Sequence, residues 1–455
     1  MATRARLDGD QFARLMPQRP SEQSTKPVNS LLDLQRIVGN STVTDLIERQ
    51  RRPLAPIEVQ RYEAGEHAQF GAQKGEKEEE FKIGDVKLTY GDLIALGDFY
   101  EDMDQIRSAP QEELKQLVDL IHRDKRHFKG EPGVAAVTND EWQKATEGRK
   151  WKPWRPPLYL DLAGKNESHF AVENRKKWVK FHTEALRAAQ KGDMPLALAT
   201  NGFADHFLTD AFSAGHLVEK SKMVNDTKAN LAKTDPKIFA KLVAINLLEH
   251  PRARAELSQY QVSPAPWSTE WKEVDSESLA EVVEFIRDWK EDKYYSMFVR
   301  AVHDKLNQDI EHGTGGVLVE NRLGRRWRLS GDETLGKSPE TLEIAQAAVA
   351  QSKSNVYQAS NEKQVDFNEA IQLVWNYVPT PVDEGEALVT GSEATLTDPK
   401  NPATAPAIAQ IAVDNLAMLI DELSSAHMLR QKPGVKLPAE RPGDFELPSP
   451  AFRPA

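Results

Sequence analysis

Between Asn201 and His216 the chain places His206, Asp210 and His216 in a His-x3-Asp-x5-His spacing. Residues four apart on a helix share a face, so His206 and Asp210 can hold one ion between them. Ser213-Ala214-Gly215 then lets the chain leave the helix and turn His216 back toward the same pocket. Neutral imidazoles and a carboxylate are zinc ligands, at roughly 2.0–2.2 Å. A core histidine satisfied by its neighbours is the competing reading, since His206 sits among Phe203, Phe207 and Leu208. Two imidazoles and a carboxylate on so apolar a helix are costly without partners or a metal, which favours the metal.

Three other places offer ligands. Gly65-Glu66-His67-Ala68-Gln69-Phe70-Gly71 sets His67 in a polar, Gly-bounded segment. Leu96-Gly97-Asp98-Phe99-Tyr100 sets Asp98 inside an otherwise apolar helix, unusual for an unpaired carboxylate. Asn166-Glu167-Ser168-His169-Phe170 sets His169 just ahead of a helix. A surface His, a polar helix position and an N-cap neighbourhood are the plain alternatives for the three. His182 reads as a packing or surface residue; His122, His127, His250 and His427 read as solvated; His312 reads as a helix C-terminal residue favoured by the macrodipole. The acidic run Glu76 to Glu80 reads as a solvated loop. Trp151-Lys152-Pro153-Trp154-Arg155 reads as a structural loop, with contact to lipid headgroups or stacked bases as its alternative.

The elements that must position these residues are helical. Apolar periodicity predicts helices over Leu88–Met103, Pro110–Ile121, Arg175–Gln190, Met194–Phe212, Pro236–Leu248, Ser276–Trp289, Tyr294–Ile310 and Pro339–Gln358. Gly316–Val319 and Arg326–Leu329 suit a small hairpin across Asn321-Arg322-Leu323-Gly324. The expected class is all-α with a minor β-hairpin. Residues 1–60 read as a flexible leader with a short amphipathic stretch, Leu31 to Val38, stopped by Gly39-Asn40. Residues 61–378 read as the helical domain, and 379–455 as one helix, Ala405–Leu429, with an extended Pro-rich tail.

Composition narrows the function. The 455 residues carry 59 basic and 70 acidic side chains for a net charge of −11, a poor match to a nucleic-acid coat that needs a dense basic face. Cys is absent, which removes disulfides, thiolate nucleophiles and Cys-bound metals together. No window approaches the ~18 consecutive apolar residues of a membrane span. Met1 to Ser30 has Arg but no apolar core after it, so no secretion signal is expected. The reading is a cytoplasmic protein of its producing cell, or one exported without a cleavable signal.

In order along the chain, His67, Asp98, Ser168-His169-Phe170 and His206-x3-Asp210-x5-His216 resemble the zinc-dependent phospholipase C and single-strand nuclease superfamily. The resemblance runs from His67 to His216, and the His-x3-Asp-x5-His spacing is the family's own. It implies a helical fold with two to three Zn2+ ions at the bottom of a cleft. It places Asp98, His169, His206 and Asp210 on one zinc, has Asp210 bridge to a second held by His67, and has His216 begin a third site. His303, in Val302-His303-Asp304-Lys305-Leu306-Asn307, is the candidate to continue that third site. Two departures stand out. The family's N-terminal Trp ligand has no counterpart, leaving Glu66 or a backbone carbonyl to replace it. The carboxylate expected four residues after His303 is Asn307, and Asp304 would replace it only with a different helix geometry.

The activity so implied is zinc-dependent phosphodiester hydrolysis of the phospholipase C kind, with Asp98 as ligand and general base. Phospholipid, or a membrane surface, is the leading substrate, and single-stranded nucleic acid is second. Leu34-Gln35-Arg36-Ile37-Val38-Gly39-Asn40 also resembles a short motif near the N-termini of proteins associated with extracellular contractile injection systems. That resemblance implies a toxin or effector cargo with residues 1–60 as its loading segment. A non-catalytic structural or cargo component of the same apparatus is the alternative.

Overall fold

Helices dominate a computed structural model that describes residues 64–71, 77–149, 156–157, 159, 162, 166–308, 316–332, 334, 338–362 and 365–433. The leader, the Leu34 to Asn40 motif, Trp151 to Arg155 and His312 lie outside the described residues. The described residues all fall in one compact unit.

The first elements are small. Helix α1 (Ala64–His67) runs into a 3-10 turn, Ala68–Gly71, ahead of the hairpin of β1 (Glu80–Ile83) and β2 (Val86–Thr89). The strands pair antiparallel from Glu80↔Thr89 to Ile83↔Val86, and the turn holds Gly84 at φ 59°. Thr89 and Asp92 close a capping box that starts α2 (Tyr90–Ala95). The single helix expected from Leu88 to Met103 is therefore divided. Its first residues finish β2, a 3-10 turn covers Leu96–Asp98, and Asp102 accepts from the Gln105 N–H to begin α3 (Met103–Ser108) anew. Local side-chain caps outcompete continued helix at both breaks. Helices α4 (Gln111–Phe128) and α5 (Asn139–Ala145) follow.

The centre of the molecule is α6 (Ala171–Gln190) packed along α7 (Met194–Asp210). Gly192 at φ 85° turns the chain between them, and Asp193 caps α7 by accepting from the Leu196 N–H. Every residue of α7 from Ala197 to Asp210 is buried, so beyond its first turn this helix has no solvent face. Phe203 meets Phe181 of α6 with ring centroids 5.1 Å apart, and burial of each such ring stabilises by about 1.5–3 kcal/mol. On another face Asp205 accepts from the Tyr90 hydroxyl at 2.6 Å, Trp178 Nε1 at 3.0 Å and the Ser352 hydroxyl at 2.7 Å. That buried network ties α7 to α2, α6 and the helix that carries Ser352, and fixes its rotation.

The remaining chain is α8 (Lys220–Leu231), α9 (Pro236–Glu249), α10 (Pro251–Leu257), β3 (Tyr260–Val262), β4 (Lys272–Glu273), α11 (Ser276–Trp289) and α12 (Glu291–Gln308). Next come β5 (Val317–Glu320), β6 (Arg326–Leu329), α13 (Pro339–Asn361), α14 (Phe367–Trp375), β7 (Thr380–Pro381) and α15 (Glu384–Leu396). The last are α16 (Thr404–Asp414), α17 (Leu416–Ser425) and β8 (Leu429–Gln431). The expected hairpin forms, from Val317↔Leu329 to Glu320↔Arg326. Among the described residues it belongs to one of three small antiparallel sheets: β7 extends it beside β5, and β8 joins β3 and β4 in another. The helix expected over Ala405–Leu429 is interrupted: Asn415 leaves helical geometry at φ −106° and ψ 26°, and its amide donates to the Ile411 carbonyl. His427, at φ 57°, then turns the chain into β8. Among the described residues no helix is long and apolar enough to cross a membrane.

Candidate metal centre

Asp210, 1% exposed, ends α7 where the helix dipole disfavours a negative charge. Four imidazoles surround its carboxylate. His67 Nε2 and His216 Nδ1 stand 3.5 and 3.3 Å from its Oδ1, and His169 Nδ1 and His206 Nε2 stand 2.9 and 3.5 Å from its Oδ2. One carboxylate thus faces two imidazoles on each oxygen. Burial alone would raise its pKa, but His206 and His169 hold the Asp210 carboxyl well below the usual range. His67 is pushed down to about 4, chiefly by burial, with His169 and His216 adding to the fall and Asp210 opposing it. It is therefore neutral at pH 7, the form that binds a metal.

Three buried groups of ligand type emerge among the described residues: His67 with Asp98 and His206; His169 with His206 and Asp210; His216 with His303 and Asp332. The structure thereby brings together all seven residues singled out from sequence and adds Asp332. Asp98 arrives on the 3-10 turn after α2, not from within a long helix. Glu66 is buried beside His67 but belongs to none of the three groups.

Neighbouring side chains orient these residues. The Thr209 hydroxyl donates to the His206 carbonyl at 2.9 Å, so its oxygen accepts from His67 Nδ1 at 2.8 Å. That bond places the His67 proton on Nδ1 and turns Nε2, with its lone pair, toward Asp210. Asp124 holds α1 in place by accepting from the Gly65 N–H at 2.9 Å and the Val137 N–H at 3.2 Å. Gly97 lets the turn carrying Asp98 lie against the His206 ring, which a Cβ there would overlap. His169 ends a 3-10 turn, Glu167–His169, and His216 lies within another, Ala214–Leu217.

The third group corrects the ligand count at its final position. His303 Nε2 lies 3.0 Å from Asp332 Oδ2, so the carboxylate comes from the segment after β6 and not from position 307. Asn307 serves as a clip: its amide donates to Asp332 Oδ2 at 3.1 Å and its oxygen accepts from the Gly215 N–H at 2.8 Å. Ser213 Oγ donates to the other Asp332 oxygen at 2.5 Å. Asp304 contacts the far nitrogen, His303 Nδ1, at 3.2 Å and so orients the ring from behind. Burial works to lower His303, but Asp304 and Asp332 push it up to about 9. Burial likewise works to raise Asp332, and the His303 hydrogen bond and charge take it down to about 2.

Side chains set aside from sequence are structural. His182 is buried, stacked 4.5 Å from Trp178 and bonded to Asn201 Oδ1 at 2.6 Å; burial pushes it down to about 4. His122 is half-exposed and paired with the buried Asp92 at 3.0 Å, so it is not simply solvated. The acidic run is partly docked, with Glu78 on Lys125 and Glu79 on Lys353, both at 2.8 Å. The donor set at the centre, imidazole nitrogen and carboxylate oxygen without thiolate, fits a divalent transition cation. No protein-family model, curated protein or solved structure matches the chain.

Proposed function

We propose that the protein is a zinc-dependent phosphodiester hydrolase of the phospholipase C kind, with two to three ions. One observation carries this reading: Asp210 presents each of its oxygens to two imidazoles, the arrangement of a carboxylate shared between neighbouring cations. His67, Asp98, His169, His206 and Asp210 would hold the ions on the two sides of the Asp210 carboxylate, with His206 serving one of them, and His216, His303 and Asp332 would hold the remaining ion. Bound zinc would supply charge neutralisation at the phosphate and a water acidic enough to ionise near neutral pH.

The chain's own groups do the rest. Asp98, 3% exposed and grouped with two imidazoles, is placed to take the proton of the attacking water. Water adds at phosphorus, the bond from phosphorus to the alcohol oxygen breaks, and that oxygen takes up a proton. Thr209, Asn307 and Asp304 hold the imidazoles and Asp332 in fixed orientations, so no reorganisation is needed as charge develops.

The test is metal analysis of the purified full chain combined with assays on phosphatidylcholine or phosphatidylethanolamine vesicles and, separately, on single-stranded DNA and RNA. Stoichiometric zinc and release of phosphorylated headgroup support the reading. Nucleotide release alone transfers it to a nuclease of the same kind, and a chain without zinc leaves only the non-catalytic cargo role. The Leu34 to Asn40 motif supports carriage by a contractile injection particle. Deletion of residues 1–60 would abolish particle association and spare hydrolysis if so.

A further inference from the structure

Beside the third ligand group lies a cavity of about 270 Å³. Its walls are mostly apolar: Val243 and Leu247 from α9, Leu279 and Ile286 from α11, Ile411 from α16 and Leu419 from α17. Protein interiors pack densely and leave few voids larger than a water molecule. A cavity this size holds about nine occupants of roughly 30 Å³ each, the bulk of a medium-length alkyl chain. The apolar stretches give ordered water nothing to bond, and the lining's Arg300 and Asn415 are turned onto Asp304 and the Ile411 carbonyl, so the space suits an apolar occupant.

The two ends differ. Phe170 and His303 close the inner end, both nearly buried, and His303 belongs to the ligand group. Trp289 and Met418 mark the outer end, 44% and 41% exposed. Lys220, only 8% exposed, lines the same cavity; it donates to Asn166 at 3.1 Å and lies 5.9 Å over the Phe170 ring. Its position over Phe170 sets this charge at the inner end. Lys290 and Lys293 at the rim are each turned onto Glu422, so the rim cations are committed to an ion pair. An apolar barrel with one buried cation beside candidate metal ligands selects a molecule with an aliphatic tail and an anionic end.

We propose that this cavity binds the aliphatic chain of an alkyl phosphate or phosphate ester, with the phosphate at the Lys220–His303 end. The phosphate's placement rests on the hydrolase reading; the chain's placement rests on the cavity alone. Helices α16 and α17 supply one wall, which gives the C-terminal part of the chain a role in selecting substrate.

The test is calorimetric titration of the full-length zinc-loaded protein with n-decyl phosphate and n-butyl phosphate, alongside Ile411→Trp and Leu279→Trp, which fill the cavity. Zinc content and melting temperature show that each variant has folded. Decyl phosphate is expected to bind at least tenfold tighter than butyl phosphate, and either Trp is expected to erase most of that preference. Equal affinities in the unaltered protein overturn the proposal without any variant, as does a preference that survives both fillings. Lys220→Met is expected to weaken decyl phosphate and leave decanol binding unchanged; equal weakening of both overturns the assignment of the anionic end. A decyl preference without hydrolysis of any phosphodiester sinks the hydrolase reading and keeps the pocket. Hydrolysis with no chain-length preference does the reverse.

Discussion

His303 and Asp332 meet at 3.0 Å, one from α12 and the other from the segment after the β5–β6 hairpin. The pair makes Asp332 the carboxylate of the third ligand group, and Asp332→Ala is expected to remove one ion and leave the others. Asn307→Ala keeps every ligand but loses the clip, so it should weaken the same ion about 10–100-fold, as outer partners of metal ligands do. Zinc per chain and competition with a chelator measure both. Full zinc occupancy in Asp332→Ala would remove Asp332 from the ligand set.

Asp210 stands between groups, so Asp210→Asn should cost more than one ion. Each lost ion also withdraws its contribution to folding, about 2.7 kcal/mol for a ligand at a hundredfold its dissociation constant. The variant's melting temperature should therefore fall below that of the unaltered protein in zinc and approach it in a chelator. Equal deficits in both conditions would mean that Asp210 is only a packing residue.

Gly97 tests the geometry without touching a ligand atom. A methyl at this position would overlap the His206 ring, so Gly97→Ala is expected to destabilise by about 1–3 kcal/mol and to lower zinc content. Gly148→Ala, where a Cβ would meet nothing within 4 Å, is the matched control. A Gly97→Ala chain as stable and as zinc-rich as the control would show that the turn can move away from His206.

What was legible in the sequence divides along physical lines. The His206–Asp210 pair needed only helical spacing, and α7 supplies it. The convergence of His67, His169 and His303 on that helix end is a tertiary fact that no local period encodes, and it came from family resemblance. Asp332 is not legible as a partner of His303 because helical spacing points to a carboxylate within one turn, while the chain delivers it from beyond a hairpin. The signal available was Ser330-Gly331-Asp332, a turn carboxylate directly after a strand. Asp205 was passed over for the opposite reason: nothing near it in sequence announces Tyr90, Trp178 and Ser352 as donors. The breaks before Met103 and at Asn415 lie where the Asp102 and Asn415 side chains bond the backbone, which an apolar stripe alone does not record.

Asp414 gives a pH test on a group that belongs to none of the ligand groups. It lies on α16, half-buried, where burial pushes its carboxyl up to about 7 against the opposing effects of Gln410 and Arg300. An unfolded aspartate titrates near ~3.9. The folded chain therefore keeps a proton that the unfolded chain gives up between these values. Its contribution to stability is fully present below about pH 3.9 and is lost as the pH rises to about 7. Asparagine mimics the protonated form at every pH. Asp414→Asn should then raise the melting temperature by a few degrees at pH 8 and by nothing at pH 4, each compared with the unaltered protein at the same pH. Both should be measured in a chelator, so that metal linkage does not enter the difference. A shift of the same size at both pH values would assign the effect to the amide's own hydrogen bonds and not to the proton.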